Sequence, residues 1–157
     1  MFMFNIVNDS VIGKIKKKIE DLSGAEKDKL LRWVCSSMAF VVHDRIHEQG
    51  LKADGSKISD KGYSNAYLKL REKKGRIEGN KVVLSFTHQM ELDFSVGATD
   101  PIKTNNGYGL GFKNDFNADK SKWMEELYGD GIWDLSPSEE KMATNVAKDY
   151  VQRFLQS

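Results

Sequence analysis

Three histidines and one cysteine are the side chains of this 157-residue chain best suited to metal or nucleophilic chemistry near neutral pH. His43 and His47 stand one helical turn apart, the spacing at which two imidazoles on one helix grip a divalent metal. Glu48 adjoins them, but no third ligand shares their face and no further His/Cys cluster completes a site. The pair follows Phe40 on the flank of its helix, away from the apolar stripe. Surface or interface histidines are therefore the expectation, and no metal is assigned. His88 stands alone in an expected turn. Cys35 falls inside a helical pattern and reads as a buried, inert thiol. A single cysteine excludes an intramolecular disulfide framework and fits a reducing compartment.

Other chemical signatures fall away in the same manner. Asp54-Gly55-Ser56 opens like a calcium loop, but no twelve-residue ligand pattern with a closing Glu follows. Gly107-Tyr-Gly-Leu-Gly-Phe112 contains G-x-G-x-G without the crossover unit that a dinucleotide site needs. There is no G-x-S-x-G, no P-loop and no C-x-x-C. The expectation is a chain that is not an enzyme and takes no cofactor.

Charge is more informative by position than in total. The net charge of +1 gives no global attraction to nucleic acid or membrane. From Lys52 to Lys81 nine Lys/Arg face four Asp/Glu, and from Asp115 to Asp149 the count reverses to four against nine. The candidate interaction surfaces are a basic set (Lys57, Lys61, Lys69, Arg71, Lys73, Lys74, Arg76) and an acidic set (Asp115, Asp119, Glu125, Glu126). The first would meet a neighbour, or DNA; the second would meet a partner subunit. Two tyrosines, Tyr63 and Tyr67, lie within the basic stretch and could stack on bases. A DNA-binding module using residues 57–76 is therefore the alternative function, although no recognisable nucleic-acid motif is present.

The elements that must position these residues follow from periodicity. Val82, Leu84 and Phe86, then Met90, Leu92, Phe94 and Val96, alternate with polar or smaller residues, which predicts two half-buried strands at the centre of the fold. Tyr108, Leu110 and Phe112 predict a third. Phe2, Phe4 and Ile6 make residues 1–8 an extended arm able to add a strand. Ile12, Ile15, Ile19 and Leu22 sit at helical spacing among Lys14, Lys16, Lys17 and Lys18. Ser23-Gly-Ala-Glu26 is a capping box opening a helix of roughly 25 residues that carries Leu31, Val34, Met38, Val42 and Ile46 to a stop at Gly50. Residues 51–62 read as a polar loop, and Tyr63, Tyr67 and Leu70 mark a short helix. Asp115 or Asn117 caps a helix with Trp123, Met124 and Leu127. Ser136-Pro-Ser-Glu139 opens the last helix, with Met142, Val146, Tyr150 and Phe154 as its stripe. The prediction is one α+β domain over 1–157: an antiparallel sheet of three or four strands packed by the long central helix and the C-terminal helix. Residues 1–7 lack the basic start and apolar length of a signal peptide, and no run approaches the ~20 apolar residues of a membrane span. The chain is expected to be made in the cytoplasm.

Taken in order, the motifs form a series. Arg45-Ile-His-Glu-Gln-Gly50 ends the long helix, and Ala53-Asp-Gly55 lies in the polar loop. The tyrosine-lysine helix follows, then Val83-Leu-Ser-Phe-Thr-His-Gln-Met90 and Gly109-Leu-Gly-Phe112. Lys122-Trp-Met-Glu125 and Trp133-Asp-Leu-Ser-Pro-Ser-Glu-Glu140 close it. Over roughly residues 30–155 this order resembles the tail-completion and virion-morphogenesis proteins of tailed bacteriophages. The resemblance implies a non-enzymatic virion protein forming a sixfold or twelvefold homo-oligomeric ring in the neck, between the head connector and the tail terminator or tube. Such proteins carry a glycine after the threonine of the central turn, where this chain has His88. A non-glycine residue in the left-handed conformation is expected there.

Overall fold

A computed structural model describes residues 2–3, 20, 22–76, 79–85, 87–99, 102–104 and 107–156. The helical pattern read at 9–22 lies mostly outside them. Helix α1 (Gly24–His43) begins at the expected box: the Ser23 hydroxyl accepts the Glu26 N–H, and the Glu26 carboxylate accepts the Ser23 N–H. The helix buries Leu30, Val34, Cys35, Met38, Ala39 and Val42. Burial pushes the Cys35 thiol up to about 11, as an inert thiol requires.

The long helix reaches Gly50 as expected, but its last stretch, Asp44–Gln49, is a π-helical turn, wider than the α-helix by one residue per turn. Gly50 then turns the chain at φ 69, and a Cβ there would sit 2.5 Å from the Val82 carbonyl oxygen. The widened turn buries three consecutive side chains, Arg45, Ile46 and His47. At ordinary helical spacing His47 would follow Phe40 onto the outer face. The extra residue swings it inward, so the expectation of a surface histidine is corrected.

Helix α2 (Asn65–Lys73) starts at Ser64, whose hydroxyl accepts the Tyr67 N–H. The expected central hairpin is absent. Residues 82–85 run extended without sheet partners, and Gln89–Thr99 is helix α3. Met90 and Phe94, read as alternating strand residues, lie four apart and are buried on one helical face, whereas Leu92 is exposed. The apolar run suited either period, and the interior partners of Met90, Glu91 and Phe94 decide for the helix.

The sheet that does form is small and antiparallel. Strand β1 (Phe2–Met3) and strand β2 (Ile102–Thr104) flank strand β3 (Gly107–Leu110), with Phe2 opposite Leu110 and Ile102 opposite Gly109. Helix α4 (Asp115–Tyr128) is capped by Asn114 rather than Asp115 or Asn117, and helix α5 (Pro137–Gln156) starts at the Ser136–Glu139 box. The core is α1 with α5, α3 and β3 packed around it. The sheet is thus an attachment to a helical core, not its organiser. The α5 stripe also differs from expectation. Ala143, Ala147 and Val151 are buried, while Met142 and Phe154 are exposed. Two alanines on one face let α5 approach α1 closely.

One cation ties these layers together. The Arg45 Nε donates to Glu139 Oε1 at 2.8 Å, Nη1 to the carbonyls of Leu51 and Ile132, each at 3.0 Å, and Nη2 to the Asp134 carbonyl at 2.6 Å. Truncating one member of a buried ion pair strands the other charge, a cost of roughly 3–5 kcal/mol. Arg45→Ala should lower the free energy of urea unfolding by about that amount, and a loss under about 1 kcal/mol would contradict this role.

Candidate functional site

All three histidines of the chain converge on one carboxylate. His43 and His47 have ring centroids 4.9 Å apart, and His47 Nδ1 lies 3.8 Å from Glu91 Oε1. His88 Nδ1 contacts Glu91 Oε2, and the Ser85 hydroxyl lies 3.4 Å from the same nitrogen. The π turn delivers His47, the 84–88 segment delivers Ser85 and His88, and the first turn of α3 delivers Glu91. His88 has φ 58, the left-handed conformation expected of it, and Leu84 has φ 50. Non-glycine residues take that region at a cost of about 1 kcal/mol or more. Two within five residues mark a segment shaped by its surroundings.

The electrostatics follow from burial. Burial pushes the His47 imidazole down to about 4, against the Glu91 charge and the Val83 carbonyl, which pull it up. The ring is therefore neutral at pH 7, and its approach to Glu91 is not an ion pair. A carbonyl only accepts, so His47 Nδ1–H donates to the Val83 oxygen at 3.1 Å, and Nε2 carries the lone pair. Nε2 is buried and has no hydrogen-bond partner among the described residues. Burial pushes the Glu91 carboxyl up, but Ser85, His88 and His47 together bring it below the usual carboxylate range.

Ser85, His88 and Glu91 are the residue types of a nucleophilic relay. A relay places the hydroxyl on one ring nitrogen and the acid on the other. Here both meet Nδ1, so the arrangement does not pass a proton from serine to carboxylate. Among the described residues no group of three or more His, Cys, Asp or Glu is placed to hold a metal ion.

The cluster opens onto a groove of about 650 Å³ between α2 and α4, lined in part by Tyr67, Arg71, His88, Lys120, Met124 and Leu127. Arg71 is the correction among the basic surface candidates: it is 1% exposed. Its guanidinium stacks 4.6 Å from the Tyr63 ring centre and donates to the Ser85 carbonyl at 2.6 Å. Tyr63 in turn accepts the Val83 N–H at 3.2 Å. Lys57, Lys61, Lys69, Lys73 and Lys74 are exposed and Arg76 is half-buried. Of the acidic set, Asp115, Asp119 and Glu126 are exposed, whereas Glu125 is half-buried and accepts the Ile132 N–H. The basic helix and the acidic helix border one groove.

Two functional positions escaped the sequence. Glu91 was read as the polar half of a strand, although Ser85-x-x-His88-x-x-Glu91 has the spacing of a helix start. Arg45 sits three residues after Val42, in step with the apolar stripe, which is the signal for a buried cation.

Because the folded His47 has the lower pKa, the unfolded chain binds more protons between pH 6.5 and 4. Stability is full above that window and falls as pH drops through it, by roughly 3 kcal/mol. Glu91, lowered by folding, adds its own loss below about pH 4.5. In urea titrations against pH, His47→Gln should flatten the slope between 6.5 and 4. Parallel slopes for the two proteins would refute the assignment. Comparison with known protein families, curated proteins and solved structures finds no match to this chain.

Proposed function

We propose that the chain is a structural protein of a tailed-phage virion, forming a sixfold or twelvefold ring in the neck that completes the tail and joins it to the head connector. The observation that carries this reading is the motif series over residues 30–155. Its members fall at the junctions the fold depends on. Arg45–Gly50 is the π turn and its left-handed stop. Asp54 folds back to accept the Ser56 N–H. Val83–Met90 forms the floor of the groove and the entry to α3, and Trp133–Glu140 supplies the partners of Arg45.

The surface supports the same reading. Phe40 is 77% exposed, and Trp33, Leu92, Phe116, Trp123 and Leu127 are also exposed. So much exposed apolar surface marks sites that other proteins cover. The connector and the tail terminator or tube are the partners, with DNA in the channel a further contact for Lys69, Lys73 and Lys74. No helix among the described residues is long and apolar enough to cross a membrane.

Negative-stain images of the purified chain, alone and with its connector, should show rings that dock on the connector. Monomers in both samples would refute the reading. The alternative, DNA binding through 57–76, is weakened by the burial of Arg71. It predicts steeply salt-dependent retention on DNA that Lys69→Glu/Lys74→Glu abolishes. Under the virion reading that double variant impairs assembly and leaves any DNA retention unchanged.

A further inference from the structure

Two outward stripes match each other and not themselves. On α1, Trp33 and Phe40 lie seven residues apart, opposite the buried face. On α4, Phe116 and Trp123 lie seven apart with Leu127 beside them, and the Phe116 and Trp123 rings touch edge to face at 6.2 Å. Seven residues span about 10.5 Å of helix, so the aromatic pairs have equal spacing. The two stripes sit on different helices, and α3 packs against both.

Their flanks are charged in opposite senses. By helical periodicity Lys29 and Arg32 run along one side of the α1 stripe and Glu26 along the other. Along the α4 stripe, Asp115, Asp119 and Glu126 occupy the corresponding side, and Lys120 the opposite one, its ammonium 4.4 Å over the Phe116 ring. When two helices meet face to face and antiparallel, corresponding flanks adjoin. In parallel, each flank meets the opposite one. Only the antiparallel arrangement sets Lys29 and Arg32 against the α4 acids, and Glu26 against Lys120. Pairing either stripe antiparallel with its own copy would set like charges together.

We infer that α1 of one copy packs antiparallel on α4 of a second copy through Trp33 and Phe40 against Phe116, Trp123 and Leu127. The contact is head-to-tail: each copy offers a different patch to each neighbour, so association continues until a ring closes. This rests on the ring reading above and gives it a contact. One helix pair buries less than the roughly 1,200–2,000 Å² of a stable interface, so a single contact is weak and closure accumulates it.

The test is sedimentation velocity of the full chain over a concentration series. Wild type should associate. Trp33→Glu/Phe40→Glu and Trp123→Glu/Leu127→Glu should each stay monomeric alone, with urea midpoints near wild type because the residues are exposed. Mixed in equal amounts they should form dimers and nothing larger, since each retains the one stripe the other lacks. Should a double variant fail to fold, Lys29→Glu and Asp119→Lys replace the pair: each should weaken association at least tenfold. Wild-type-sized assemblies from the variants would overturn this contact and leave the ring standing. Self-dimers of each variant would show like-with-like pairing and overturn it too. A wild type that stays monomeric at every concentration, with and without the connector, would remove both the contact and the ring. One that assembles only on the connector, with the variants behaving alike, would remove the contact alone.

Discussion

The guanidinium of Arg45 is the point on which the helical layers depend. A buried cation is tolerated only when its donors are satisfied. Here four hydrogen bonds go to one carboxylate and three carbonyls belonging to segments far apart in sequence. Each carbonyl lies in irregular chain next to the core, where an unpaired oxygen would itself be costly. Glu139 is held twice, by Arg45 and by the Ser136 N–H, so the start of α5 is fixed against the end of α1. The aromatic cluster follows from that placement. Trp133 is carried inward by the same connector, where its ring meets Phe112, Phe94 and His47.

Around Glu91 the interior is polar for a different reason. The strained 84–88 segment, the π turn and the first turn of α3 each supply one group. The Arg71–Ser85 bond and the Tyr63–Val83 bond hold the extended strand of chain between them. Asp93, two residues after Glu91, accepts the Asn114 N–H and the Asn117 side-chain amide, which hangs α4 on α3. The groove is the space left between helices joined in this way. Its residues do not form a proton relay, and its walls are a basic helix and an acidic one.

Local chemistry was legible in the sequence. The Ser23–Glu26 and Ser136–Glu139 boxes, the Gly50 stop and the left-handed His88 are all in place, because a cap or a turn is decided within a few residues. Interior direction was less legible. Met90-Glu-Leu-Asp-Phe94 alternates in polarity, yet Glu91 turns inward because distant histidines receive it, which no local pattern encodes. Ala143 and Ala147 are core residues too small to stand out beside Met142 and Phe154. Leu84 at φ 50 contradicts its own preference and owes its conformation to tertiary contacts. Arg71 looked like part of a solvated basic run, and only the two tyrosines beside it hinted at a buried, stacked guanidinium.

The π turn gives the long helix two counting frames. From Gly24 to His43 the α-helical frame sets the outward line of Trp33 and Phe40; from Asp44 onward the frame is advanced by one residue, and His47 leaves that line for the interior. The identity of residue 47 does not decide where its side chain goes. The number of residues between 43 and 50 does. Loss of any one of them would let the α-helical frame run through, carry the imidazole out beside Phe40 and pull Arg45 off its carbonyls. Chain length in this short stretch is therefore constrained as tightly as residue type.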